Sequence, residues 1–127
     1  VGSLTSMGSV CLLCRLFGLD EAMTNSLLPK SVTTPIAVGI SESHGGLVPV
    51  TVVAVIITGI MGSILAPWLI RIFRVKDSMT AGLSIGACSH AVGTSKAIEL
   101  GETEGAMSGL AIGICGILTV VFSLFLM

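Results

Sequence analysis

Charge is what this sequence has least of. Only 10 per cent of its 127 residues are Asp, Glu, Lys or Arg, where a soluble domain carries about a quarter. A chain this poor in charge cannot clothe a surface in water. Net charge is −1, which removes the basic footprint that nucleic-acid binding needs. Aromatics are scarce as well: there is no Tyr, four Phe and a single Trp, Trp68, so anchoring at a lipid interface rests mainly on that one ring. Cysteines number four. Cys11-Leu-Leu-Cys14 has the spacing of redox and metal sites, yet no second pair matches it, and thiols in apolar stretches are expected to be small buried side chains. Neither a glycine-rich phosphate loop ending in Lys-Ser/Thr nor a metal-ligand cluster is present, and Ser89-His90 are adjacent without an orienting acid. No enzyme, no cofactor and no metal are therefore expected.

What is present is apolar: 53 per cent of the residues are hydrophobic and the mean hydropathy is +1.05. The expected fold is an all-α integral membrane protein, a polytopic helical bundle forming one membrane domain over residues 1–127. A span needs about 20 apolar residues. Val48–Ile70 and Gly105–Met127 contain no charge at all, and Val1–Cys14 reads as the end of a third span. Val1 stands inside an apolar run with no basic leader ahead of it, which is expected of the C-terminal portion of a longer protein.

Two further segments are apolar but interrupted. Glu21–Gly45 contains Pro29-Lys-Ser-Val-Thr-Thr-Pro35, and Ser78–Gly101 contains Ser89-His-Ala-Val-Gly-Thr-Ser-Lys96. Proline removes a donor and restricts its predecessor, and Gly93 weakens helix. Both segments are predicted to be discontinuous helices, and unwound backbone at membrane depth survives only inside protein or beside a wet cavity. Ser31–Gly46 also matches Ala91–Ala106, with Val32/Val92, Thr34/Thr94, Ala37/Ala97, Glu42/Glu102 and Gly45/Gly105 identical. The repeat units are placed at residues 20–73 and 77–127, an internal symmetry familiar in secondary transporters. Arg15 and the Arg71, Arg74, Lys76 group follow the first two spans. If both loops are cytoplasmic, the broken segments cross the membrane and the repeat is parallel; if the segments are re-entrant, Arg15 lies opposite Arg71 and the repeat is inverted. Basic-residue placement favours crossing.

Ionisable residues within membrane segments are costly and thereby mark function. Lys30 lies beside Ser31, Thr33 and Thr34; Lys96 lies beside Ser89, His90, Thr94 and Ser95. Cation, hydroxyls and half-helix N-termini together suit a carboxylate, with Thr34-Pro35 as one helix start and Thr94 or Ser95 as the other. The two constellations are expected to face one another. The bland alternative is that the lysines snorkel and the hydroxyls satisfy freed backbone. His90 is a candidate for proton coupling, set against a neutral histidine hydrogen-bonded between helices; Glu99, three positions past Lys96, is the second candidate. His44 is expected to be solvated. Gly105, Gly109 and Gly113 give the last span a smooth packing face, as Gly82 and Gly86 do ahead of His90.

The stretches Pro29–Ala37, Ile56-Ile-Thr-Gly-Ile-Met-Gly62, Ala87-Cys-Ser-His-Ala-Val-Gly-Thr-Ser-Lys-Ala97 and Glu104-Gly-Ala-Met-Ser-Gly-Leu-Ala111 strongly resemble the LrgB/CidB family, from about Asp20 to the end. The family includes bacterial LrgB-like and CidB proteins and the plastidal glycolate/glycerate translocators. The resemblance implies a multi-pass protein of a bacterial plasma membrane that moves small monocarboxylates such as glycolate, glycerate or pyruvate. It also implies an alternative, a holin- or antiholin-like regulator of murein hydrolase activity and lysis. Expected partners are a small carboxylate, the lipid membrane, an LrgA/CidA-like small membrane protein and further copies of the chain, with no nucleic acid.

Overall fold

The computed structural model describes residues 1–127 and is helical throughout, with six helices and no strand. They are α1 (Gly2–Leu16), α2 (Glu21–Leu27), α3 (Thr34–Ser43), α4 (Val48–Ile72), α5 (Ser78–Leu100) and α6 (Glu102–Leu126). Helices α4 and α6 are each 25 residues long, and each is apolar enough along its length to cross a membrane. At 1.5 Å per residue each reaches about 37 Å, enough to cross a hydrocarbon core of about 30 Å with some tilt. Both extend one or more residues beyond the uncharged runs, because the flanking polar residues continue the helix. Pro67 falls in the last turns of α4 without ending it. Only 29 of 127 residues are buried, and Ile57, Ile64, Trp68, Ile117, Leu124 and Phe125 are exposed. An outer surface of this kind is matched to lipid, not to water.

The turns follow from sequence. Asp20 accepts from the Met23 backbone N–H at 3.1 Å and starts α2. Asp77 does the same for α5, accepting from the Thr80 N–H at 2.9 Å and from its hydroxyl at 2.5 Å. Such caps satisfy N–H groups that the helix itself leaves open. Gly18 (φ 67°) and Gly45 (φ 72°) take the left-handed conformation that closes α1 and α3.

The path of the two interrupted segments differs from the crossing that basic-residue placement favoured. Helix α2 enters beside the start of α4: Asn25 Nδ2 donates to the His44 carbonyl at 2.8 Å, and the Leu47 N–H donates to Ser26 Oγ at 2.6 Å. The chain turns over residues 28–33, and α3 returns to that same end of α4. In α5 the helix is broken at His90 (φ 42°, ψ −140°). Beyond the break the chain runs back along itself. Ala97 packs with Ile85 and Ala66, and Leu100 shares a cleft with Asp77, Ser78 and Ala81. A crossing segment would have its ends at opposite ends of the bundle. Here each segment has both ends at one end, and the two segments enter from opposite ends.

Consequently Arg15 and the Arg71–Lys76 turn lie at opposite ends of the molecule. The acidic Glu99, Glu102 and Glu104 fall at the Arg71 end as well. The expectation that both basic loops share a side fails because it counted charges along the chain and could not see where the chain reverses.

Packing between α5 and α6 is close because Gly82 and Gly86 present bare backbone. A Cβ at Gly82 would strike Glu104 and Met107, and one at Gly86 would strike Ser108 and Ala111. On α6 the packed residues are Gly105, which lies against Ile98, and Ser108 and Ala111. Gly109 and Gly113 face outward with nothing within 4 Å of an added Cβ. A period of four residues drifts around a helix of 3.6 per turn. The smooth face read from Gly105, Gly109 and Gly113 therefore contributes only Gly105 to packing within the chain.

Candidate substrate site

Both reversals end against α4. Val32, in the first turn, is buried with Ala37 and Val55. At the second, His90 is buried and its Nε2 lies 3.0 Å from the Val55 carbonyl oxygen. That carbonyl belongs to a helical residue, so as its acceptor it fixes the proton on Nε2. The tip of α5 fits because α4 carries glycine there. A Cβ at Gly59 would meet His90 Cε1 at 2.7 Å and Val92, and a Cβ at Gly62 would collide with the Ser89 side chain. A non-glycine residue at φ 42° is strained and persists only where its surroundings hold it; the glycine cradle and the Val55 bond do so here.

The sequence-identified residues divide between two places. Lys30 is half-buried in the first turn and donates to Ser31 Oγ at 3.3 Å, while Ser31 shares a 2.7 Å hydrogen bond with Ser6 of α1. Two residues past Lys30, Val32 packs on Val55, the residue whose carbonyl holds His90, so the turn carrying Lys30 and the His90 tip meet the same stretch of α4. Thr33 is the first residue before α3 and makes no side-chain cap; Thr34 is already helical, with Pro35 following. The predicted start is thus displaced by one residue.

In the second segment helix resumes directly after His90, so Thr94 and Ser95 lie a turn inside it and do not cap it. Thr94 donates to the His90 carbonyl at 2.9 Å and accepts from Ser108 at 2.7 Å, which ties the returning arm to α6. Ser95 donates weakly to Ala91 at 3.4 Å on the exposed face. Lys96 pairs with Glu99 at 2.7 Å, the two side chains being 36 and 66 per cent exposed. The expected confrontation of Lys30 with Lys96 is not what the contacts describe: the group opposite Lys30 is the His90 tip, and Lys96 is turned to Glu99. His44, expected to be solvated, is half-buried, with Nδ1 2.9 Å from the Ile40 carbonyl oxygen.

Several residues escaped the sequence reading. Gly59 and Gly62 seat the α5 tip, and their signal was two glycines three apart in the middle of a span. Ser26, Ser41 and Thr51 are fully buried. The Thr51 hydroxyl donates to the Ser26 carbonyl at 2.9 Å and pairs with Ser41 Oγ at 2.7 Å. They lock the base of the first hairpin to α4, and nothing in their spacing announces it.

With this geometry in view, comparison with known proteins is informative. The chain matches the LrgB-like family over residues 1–127. It is 41 per cent identical over 121 residues to the antiholin-like protein LrgB of Bacillus mycoides (strain KBAB4), covering 95 per cent of this chain and 53 per cent of that protein. The same figures hold for the antiholin-like LrgB proteins of Bacillus cereus (strain B4264) and Bacillus anthracis (strain CDC 684 / NRRL 3495). The chain thus spans about half the length of these relatives. No solved structure matches it. A match along the whole chain, joined to two apolar helices long enough to span a bilayer, makes this a membrane protein of the LrgB-like family.

Proposed function

We propose that this chain forms the substrate-binding core of a multi-pass plasma-membrane transporter for small monocarboxylates of the glycolate, glycerate or pyruvate kind. The observation that carries the reading is the convergence of two chain reversals, entering from opposite ends, on the Val55–Gly62 stretch of α4. One brings Lys30 and the other His90. Each reversal followed by a long apolar helix makes a unit, α2–α3–α4 and α5–α6, and each unit opens on a capping aspartate. We read the units as an inverted repeat of re-entrant hairpins with discontinuous helices, the arrangement in which secondary transporters hold substrate. Ala37 and Ala97, matched in the sequence alignment, are both fully buried, which supports the repeat. With three basic residues against one, the Arg71 end is cytoplasmic.

In this reading Lys30 supplies the cation for the carboxylate. Ser31, Thr33 and Thr34 supply donors around it, and His90 and Ser89 approach from the other tip. Lys96 and Glu99 act at the rim. Uptake of glycolate into proteoliposomes tests this: Lys30→Met abolishes it at unchanged expression, and uptake at the wild-type rate would refute the assignment.

That the relatives are antiholin-like proteins favours a second reading: a regulator of murein hydrolase activity that works with an LrgA/CidA-like partner or with copies of itself. The outward Gly109 and Gly113 of α6 suit such an interface. On that reading Gly109→Leu impairs lysis control more than Lys30→Met does.

A further inference from the structure

A cavity of about 240 Å³ lies between the second half of α4 and the entering arm of α5. Leu65, Ala66, Leu69 and Ile70 form one wall; Ser84, Ile85 and Cys88 form the other. Its inner end is marked by Thr58, Gly62 and Ser89, next to the His90 tip. Ser84 donates to the Thr80 carbonyl at 2.8 Å, as a serine does when its own helix satisfies it. Ser89 is different. It is 3 per cent exposed and neither donates nor accepts a side-chain hydrogen bond, yet its oxygen is not sealed off from space. The surface that Ser89 retains is the cavity, and a hydroxyl held there without a partner is an unfilled donor. Thr58, on the facing helix, is also without a side-chain partner.

The outer end of the cavity adjoins a basic turn, with Glu99, Glu102 and Glu104 at the same end of the molecule. Ile70 is followed at once by Arg71, and Arg74 and Lys76 complete the turn into α5; all three are exposed. Asp77 in that turn is occupied in capping α5 through Thr80. Glu104 is separate, lining the neighbouring cleft with Lys76. The basic turn beyond Ile70 and the unpartnered hydroxyls of Thr58 and Ser89 offer an anion partners at the two ends of an otherwise mostly apolar slot.

We propose that this cavity is the aqueous route by which a small carboxylate reaches the His90 tip from the Arg71 side, and that Thr58 and Ser89 receive its carboxylate at the inner end. The proposal rests on the carboxylate reading above. It adds the side of entry, the path and Thr58 as a receiving residue beside Ser89. The Leu65, Ala66 and Leu69 wall would take the short carbon chain of the substrate.

Cys88 lies on the wall and serves as a built-in reporter. In the protein in its membrane, Cys11, Cys14 and Cys115 are changed to Ala, and sealed vesicles of both orientations are exposed to the anionic reagent 2-sulfonatoethyl methanethiosulfonate. Cys88 should react from the Arg71 side only, and glycolate should slow the reaction severalfold. Joint replacement of Arg71, Arg74 and Lys76 by Gln should slow this reagent about threefold to tenfold relative to a neutral one. Ser89→Ala should raise KM for glycolate severalfold without lowering thermal stability, since Ser89 contributes no hydrogen bond to the fold. Inertness of Cys88 to charged reagents, with reaction toward lipid-soluble N-ethylmaleimide, would overturn the route and make the slot a lipid groove. Reaction from both sides alike would overturn it too. Glycolate uptake by the same vesicles separates the two levels: uptake with an inert Cys88 refutes the route alone. Side-specific reaction without uptake refutes the carboxylate reading and this use of the cavity with it.

Discussion

The two hairpins reach the same stretch of α4 by different means. The α2–α3 hairpin is tied down at its base by hydrogen bonds: Ser26 Oγ donates to Ala22 and accepts from Leu47, and Thr51 links the Ser26 carbonyl to Ser41. The α5 hairpin has no such knot at its base. It lies in glycine seats, Gly59 and Gly62 on α4 and its own Gly82 and Gly86 against α6, and it is pinned mainly at its tip by His90 to Val55 and Thr94 to Ser108. Hydrogen bonds fix one register, whereas bare backbone faces can slide with little loss of contact. The α2–α3 hairpin is therefore the more firmly tied partner of α4, and on the transport reading proposed above the α5 hairpin is the part that would move.

This contrast can be broken experimentally. The largest effect is expected from Gly62→Ala, whose methyl collides with Ser89 and displaces the α5 tip. It should abolish uptake and cost about 1–3 kcal/mol of stability. Gly39→Ala, inside α3 with open space around it, should leave uptake unchanged and stability equal or slightly higher, and equal behaviour of the two would remove the glycine seat. Thr51→Val comes next. It strips the first hairpin's knot and leaves the Ser26 carbonyl unpaired, for a loss of about 1–2 kcal/mol in thermal unfolding in detergent, with KM for glycolate retained.

Smaller again is the cap of the α5 hairpin. The Asp77 carboxyl is held below its ordinary value of 3.8 by the Thr80 hydroxyl and then by the Thr80 N–H. A lowered folded-state value stabilises above the ordinary range, and this contribution is lost as pH falls through the lowered value. The stability difference between wild type and Asp77→Ala should accordingly be steady near neutrality and shrink below pH 3.8. A difference that grows in acid would contradict the cap. The smallest effect belongs to Glu99→Gln. An exposed pair of this kind contributes about 0–1 kcal/mol, so stability should scarcely move.

Much of this was legible in the sequence. The uncharged runs gave both long helices to within a few residues, because hydrophobic length is dictated by the bilayer. The prolines at 29 and 35 bracketed the first turn, since each forbids the hydrogen bond that would carry helix through. Gly93 pointed near the second break but three residues late: the unwinding falls at His90, which glycines on another helix admit. Direction was not legible. Whether a broken segment crosses or doubles back depends on contacts such as Asn25 with His44 and Leu100 with Asp77, which no local pattern encodes. The same gap misplaced Lys96, whose likeness to Lys30 in sequence context says nothing of which way its arm faces.

Side-specific labelling of single cysteines at residues 21, 42, 77 and 102, in sealed vesicles treated with an impermeant maleimide, bears most directly on the opposed hairpins. Positions 21 and 42 should label from one side together, and positions 77 and 102 from the other. Labelling of 21 and 42 from opposite sides would mean that the first segment crosses the membrane, and the converging tips would be lost with it.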